Sequence, residues 1–241
     1  MQSLKIPCVG YELAADWYDG EKDEVLLVIP GWSSNKENYQ DIVGAITGMT
    51  GMGALVVDLA GHGESPFRLP DLMPAQNFLD VLTAFDWLVT NYPGKAINVM
   101  GTSYGGYLAA YLASYRPVHK LVLRAPAIYR PENFYMKWGN IDREENKEVY
   151  RQDAAAISRN PIFAGSGNFH GKALVVVHEL DEEIPRVTSD AYIRAFNADQ
   201  YVAEGLTHRM TQFLNERSRV VAYQKAIADW LSGTPSDPSA S

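Results

Sequence analysis

The chain has 241 residues, 46% hydrophobic and 21% charged, which suits one sizeable α/β domain with a substantial core. Its net charge of −8 argues against nucleic acid or an anionic membrane surface as the main partner, since both call for a basic face. A single cysteine, Cys8, excludes an internal disulfide and a multi-cysteine metal site; in "KIPCVGYEL" it reads as a buried, inert thiol.

In chain order, the opening "MQSLKIPCVG" lacks a basic segment followed by an apolar run, and no stretch is apolar over a spanning length. A cytoplasmic protein without a membrane span is therefore expected. "VGYELAADWYDG" (9–20) alternates and predicts an antiparallel pair at a sheet edge. "EVLLVIP" (24–30), "ALVVDL" (54–59), "AINVMG" (96–101), "KLVLRAP" (120–126) and "KALVVVHEL" (172–180) are unbroken apolar runs. Strands without polar alternation are covered on both faces, so these predict a mostly parallel sheet with helices on each side. "PAQNFLDVLTAFDWLVTNY" (74–92) predicts a helix with Phe78, Leu82, Phe85 and Val89 on one stripe. "YLAAYLASYRP" (107–117) predicts a second, and "MTQFLNERSRVVAYQKAIADWL" (210–231) a long third that stops before Gly233. Residues 128–170 break this rhythm: they hold many aromatics, balanced charges and no strand pattern, and read as a cap of short helices over the strand ends. The core is then 1–127 with 171–233, and the small polar residues 234–241 read as a disordered tail.

"GTSYG" (101–105) lies where "AINVMG" ends and a helical pattern begins. A strand turning sharply into a helix crowds the corner residue, and Gly101 and Gly105 relieve that crowding because they lack Cβ atoms. Ser103 is then held with its side chain outward at the carboxyl edge of the sheet, beside the free N–H groups of a helix start. A serine hydroxyl needs a base. His208, in "EGLTHRM", follows the expected strand "QYVAEGL" and falls on the same edge; His62, in "DLAGHGES", is the runner-up. His119 and His170 read as surface or opposite-edge residues, and His178 as a hydrogen-bonded core residue. For the carboxylate that orients the base, "VVVHELDEEIP" offers Asp181, with Glu182 and Glu183 beside it; Asp181 comes first after the strand and is the stiffer.

These blocks together resemble the α/β-hydrolase superfamily over nearly the whole chain. The likeness is nearest to small cap-bearing serine hydrolases of the monoacylglycerol-lipase, feruloyl-esterase and serine-aminopeptidase-like type. "IPGWSSNKENY" resembles the family's loop after the first parallel strand, with Pro30 where many members have histidine, and "VVDLAGHGES" its D-x-x-G-x-G-x-S turn. The resemblance implies a Ser103–His208–Asp181 triad, an oxyanion hole from the backbone N–H groups of Trp32 and Tyr104, no cofactor or metal, and a small or medium carboxylic ester as substrate. Amide hydrolysis by the same triad, or a non-hydrolytic binding role on the same fold, are the alternatives. Of the cap aromatics Tyr129, Phe134, Tyr135 and Trp138, at least one is expected to line the substrate pocket, with Phe134, Tyr135 and Trp138 put forward, and Trp32 and Phe67 at its mouth.

Overall fold

A computed structural model of the chain describes residues 1–209 and 216–233. The expected 234–241 tail and the first residues of the 210–231 helix lie outside them. The described strands are β1 (Gln2–Pro7), β2 (Glu12–Tyr18), β3 (Glu24–Ile29), β4 (Gly53–Val57), β5 (Ala96–Thr102), β6 (Lys120–Arg124), β7 (Lys172–His178) and β8 (Asp199–Ala203). They form one sheet in the order β1-β2-β4-β3-β5-β6-β7-β8. The edge pair β1–β2 and the β2–β4 junction are antiparallel, and every other pairing is parallel. The helices are α1 (Gln40–Thr50), α2 (Pro74–Asn91), α3 (Tyr104–Ala113), α4 (Arg143–Glu148), α5 (Ala154–Ser158), α6 (Pro161–Ala164), α7 (Arg186–Phe196) and α8 (Arg217–Ser232).

Alternate strand residues feed two separate cores, as the two-residue side-chain period of a strand requires. Leu26, Val28, Val56, Met100, Val122 and Val176 meet α1 and α8 on one face, through Ile46, Ile227 and Leu231 among others. Leu27, Ile29, Val57, Val99, Leu123 and Val175 meet α2, α3 and α7 on the other. This is the doubly wound parallel sheet expected from the unbroken apolar runs. The α2 stripe differs from the expected one by a fraction of a turn. Phe78 and Phe85 are buried together with Val81, Ala84 and Leu88, whereas Val89 is exposed and Leu82 half-buried. Cys8 follows β1 and is half-buried, with burial pushing its thiol pKa up.

Among the described residues, 128–170 holds only short helices. Its irregular first residues are secured by two buried asparagines. Asn146 accepts from the Arg130 N–H and donates to the Ile128 carbonyl, and Asn160 donates to the Tyr129 carbonyl and to the Tyr150 hydroxyl. Side-chain amides here stand in for the ladder bonds that a strand would supply.

The sharpest packing constraint in the core is at α3. A Cβ on Gly105 would lie 2.1 Å from the Ile29 carbonyl oxygen, and one on Gly101 2.2 Å from the Gly105 carbonyl oxygen. A Cβ on Gly44 of α1, by contrast, would meet nothing within 4 Å. Gly105→Ala should therefore cost about 3 kcal/mol, or more, lowering the midpoint by about 6–12 °C. Gly44→Ala should be neutral or raise stability by up to about 1 kcal/mol. Calorimetric melts of the two variants check the pair.

Candidate active site

Ser103 sits between β5 and α3 with φ 52° and ψ −113°, in a region that L-residues avoid. Its backbone is fixed on three sides. Its N–H donates to the Arg124 carbonyl at 2.9 Å, and its carbonyl accepts from Ala127 at 3.0 Å and Tyr107 at 3.1 Å. Oγ is 3.1 Å from His208 Nε2, and His208 Nδ1 is 2.8 Å from Asp181 Oδ2. Asp181 Oδ1 in turn accepts the N–H groups of Glu183 and Ile184 at 2.9 and 2.8 Å. The carboxylate is thus held on both oxygens, and Glu182 and Glu183 do other things: Glu182 accepts the His208 N–H, and Glu183 pairs with Lys147 at 3.4 Å.

The loops carrying the acid and the histidine are stitched to each other. Glu179 N–H donates to the Ala203 carbonyl, Leu180 N–H to the Leu206 carbonyl, and Gly205 N–H to the Glu179 carboxylate. A further buried group supports them. His178 Nδ1 is 3.1 Å from the carbonyl of Thr207, the residue before His208, and its Nε2 is 3.0 Å from the Tyr223 hydroxyl. Arg124 Nε donates to that hydroxyl at 2.8 Å. The directions follow from Arg124, which can only donate, and from the Thr207 carbonyl, which can only accept. His178 Nδ1 therefore carries the hydrogen and donates to that carbonyl, while Nε2 accepts a hydrogen bond from the Tyr223 O–H. Burial, then the nearby Arg124 charge, pushes the His178 pKa down to about 3. The sequence marks His178 as a core residue but gives no sign of this chain of bonds, because Arg124, His178 and Tyr223 come from three distant segments.

The other histidines stay apart from Ser103. His62 is buried, bonds through Nδ1 to the Ala60 carbonyl and lies parallel to the Tyr104 ring; burial lowers its pKa. His119 is exposed, and His170 lies in the loop before β7.

The loop after β3 passes close to the serine: a Cβ on Gly31 would be 3.7 Å from Ser103 Cβ. Among the described residues, neither the Trp32 nor the Tyr104 backbone N–H meets an acceptor. Tyr104 anchors its ring in the core, its hydroxyl donating to Asn77 at 3.1 Å. Ser33 takes a left-handed φ of 56°, and Ser34 N–H closes the turn on the Gly31 carbonyl. The turn 58–65 holds this loop in place. Buried Asp58 accepts the Lys36 N–H at 2.7 Å and the Glu64 N–H at 2.9 Å, and a Cβ on Gly63 would lie 2.1 Å from its carboxylate. The Lys36 ammonium, itself buried, lies 2.8 Å from Glu64, 2.9 Å from Glu37 and 3.7 Å from Asp16. Burial opposes its charge, yet the bonds to Glu64 and Glu37 outweigh that and hold its pKa above the usual lysine range.

A cavity of about 710 Å³ opens beside Ser103 and His208. Trp32 and Tyr129 line it, together with Arg124, Arg143 and Arg151. Of the four cap aromatics, Tyr129 alone lines it; Phe134, Tyr135 and Trp138 do not. Trp138 is buried, its ring edge-on to Tyr104 and Tyr129, and its backbone N–H donates to the Leu72 carbonyl. Phe134 packs on Phe78 and Tyr111, and Tyr135 is 75% exposed. Phe134 and Trp138 attach 128–170 to the body, because α2 and α3 present an aromatic face that the sequence pattern does not pair with them. Phe67 also lies elsewhere, edge-on to Tyr11 in a separate hollow with Val9 and Gly10.

Residues 20–227 match the family model described as "Serine aminopeptidase, S33", and the chain belongs to that family. A pimeloyl-[acyl-carrier protein] methyl ester esterase of Neisseria meningitidis is 32% identical over 102 residues, 42% of this chain and 35% of that protein, so the chain matches only about a third of this relative's length. Among solved structures, Est1E from Butyrivibrio proteoclasticus, with ferulic acid bound, superposes with a TM-score of 0.70 at 19% identity, covering 95% of this chain and 99% of that one. The Pyrococcus furiosus esterase Pf2001 superposes with a TM-score of 0.72 at 17% identity, covering 97% and 90%. These structures share the α/β-hydrolase fold with the chain.

The neutral His178 sets a pH dependence. Its folded pKa of about 3 lies below the ordinary value of 6.5, so the unfolded chain takes up the proton first. Its contribution to stability is complete above about pH 6.5 and is lost progressively down to about pH 3. His178→Asn should flatten that part of the stability profile while lowering stability at neutral pH, as urea melts from about pH 8 to about pH 3.5 would show.

Proposed function

We propose that this chain, as a member of that family, is a serine hydrolase that cleaves a carboxylic ester through an acyl-enzyme. The observation behind the reading is the continuous hydrogen-bonded run from Ser103 through His208 to Asp181 at the wall of a cavity. Ser103 Oγ attacks the ester carbonyl carbon while His208 Nε2 takes its proton. Asp181 accepts the Nδ1–H, which fixes the tautomer and stabilises the imidazolium that forms. The Trp32 and Tyr104 N–H groups donate to the oxygen that becomes negative. His208 then protonates the departing alcohol, and a water, deprotonated by the same nitrogen, releases the acid. The strained backbone at Ser103 is set before substrate arrives, so little reorganisation remains for the reaction itself.

Residues 128–170 act as a cap in this reading, since Tyr129, Arg143 and Arg151 face the cavity from that segment. The name of the Neisseria relative also favours an ester. Amide cleavage, which the family's description suggests, is less well served by the cavity. Capture of a free amino terminus calls for an available carboxylate; of the two that line the cavity, Glu183 is already paired with Lys147 and Asp41 is exposed to solvent on the first turn of α1.

A fluorophosphonate probe should label the protein once. Ser103→Ala should abolish labelling and lower turnover by about 10⁴-fold or more. Labelling that persists in the variant would remove Ser103 from the nucleophile role. On matched p-nitrophenyl esters and aminoacyl p-nitroanilides, ester turnover should exceed anilide turnover by at least about 100-fold; comparable rates would favour the peptidase reading, and turnover of neither a binding protein.

A further inference from the structure

In a chain whose acids outnumber its bases 29 to 21, the cavity beside Ser103 is lined by four arginines, Arg124, Arg143, Arg151 and Arg209, against two carboxylates, Asp41 and Glu183. Two of the arginines come from 128–170 and differ from ordinary structural ones. Arg151 is only 7% exposed, yet its bonds go to neutral carbonyls: Nε to Ile128 at 3.3 Å and Nη1 to Glu183 at 3.0 Å. Its guanidinium lies 5.2 Å from the centre of the Tyr129 ring. Arg143 stands at the first turn of α4 with its guanidinium 3.6 Å over the Trp32 ring. Neither has a carboxylate within ion-pair distance among the described residues, whereas nearby Arg130 is paired with Glu145. Of the two cavity carboxylates, Glu183 is already engaged by Lys147.

The Arg151 guanidinium is removed from water without a counter-charge, which is costly, and that cost falls when an anion enters; Arg143 adds its charge from the exposed side. Arginine's planar fork suits a carboxylate or phosphate. The two charges also border one surface: both oppose the burial that raises the Tyr129 pKa. Both arginines and Ser103 line the same cavity of about 710 Å³, a volume that accommodates a short carbon chain.

We infer that Arg143 and Arg151 form an anion subsite in the Ser103 cavity, and that the substrate is an ester carrying a second, negatively charged group, a carboxylate or a phosphate, at a distance from the scissile carbonyl. This rests on the esterase reading for the word ester, but the subsite itself can be tested without turnover.

The kinetic test compares kcat/KM for p-nitrophenyl butyrate with that for the p-nitrophenyl half-ester of glutaric acid and for a p-nitrophenyl ester of a phosphorylated hydroxy acid. The wild-type protein should prefer an anionic ester at least about tenfold, with the preferred member of the pair identifying carboxylate or phosphate. In Arg143→Gln and Arg151→Gln that ratio should fall about tenfold, mostly through KM. Arg151 is buried, so its variant could lose structure; Arg143 is exposed and keeps the test open. The binding test titrates Ser103→Ala protein with glutarate and with glycerol phosphate by calorimetry. At least one should bind, and about tenfold more weakly when Arg143→Gln is added. Binding of this kind in a protein that turns over no ester would overturn the ester reading and keep the subsite. No preference for either anionic ester, together with no Arg143-dependent binding of either anion, would overturn the subsite.

Discussion

The approach of α3 to the end of β3 governs the rest of this molecule. Gly105 packs against the Ile29 carbonyl with no room for a methyl group, and Gly101 packs against Gly105 in the same way. That contact forces the chain to reverse within a few residues, which puts Ser103 at a positive φ and brings its Cβ beside Gly31. Serine position, helix start and the loop after β3 are therefore one geometric unit. None of the three could shift without moving the others, because the interior between them is filled by main chain and not by adaptable side chains.

Two histidines near the same edge show how environment separates roles. His208 is partly open to the cavity and bonds to Ser103 and Asp181. His178 lies 4.0 Å from the same Asp181 oxygen but is enclosed, and Arg124 through Tyr223 fixes its tautomer. A charged His178 would compete for Asp181; burial keeps it neutral. The nearer histidine in sequence to Asp181 is thus the support, and the farther one completes the run with Ser103.

The sheet is legible in the sequence because parallel strands covered on both faces leave unbroken apolar runs, and those runs are β3 to β7. Helices α1 and α7 leave no such mark. Their sequences, "QDIVGAITGMT" and "RVTSDAYIRAF", carry glycines or many polar residues, and their burial depends on the sheet and on neighbouring helices. At the site, Ser103, Asp181 and His208 can be found because each falls shortly after a recognisable strand. The cavity wall cannot. An aromatic in an insertion looks alike whether it faces a ligand or a neighbouring helix, so Trp138 and Phe134 read as pocket residues while the arginines disappear into a balanced charge count. Which charges cluster is a three-dimensional fact, and Arg130 pairing with Glu145 leaves Arg143 and Arg151 unmatched among the described residues.

The buried Lys36 ties together parts of the chain that are far apart along it. Its ammonium reaches Asp16 on β2 and Glu64 on the turn after β4, while its own N–H is held by Asp58. Ser65 extends the connection, taking the Ala14 N–H and donating to the Asp58 carbonyl. An antiparallel edge pair is ordinarily the part of a sheet most free to open by itself. Here its opening would take Asp16 from Lys36 and the Ala14 partners from Asp58 and Ser65, the residues that hold the loop carrying Trp32. The edge and the loop after β3 consequently belong to one cooperative unit for local unfolding, and amide hydrogens on β2 should exchange in step with those on that loop and not with those of a fraying terminus.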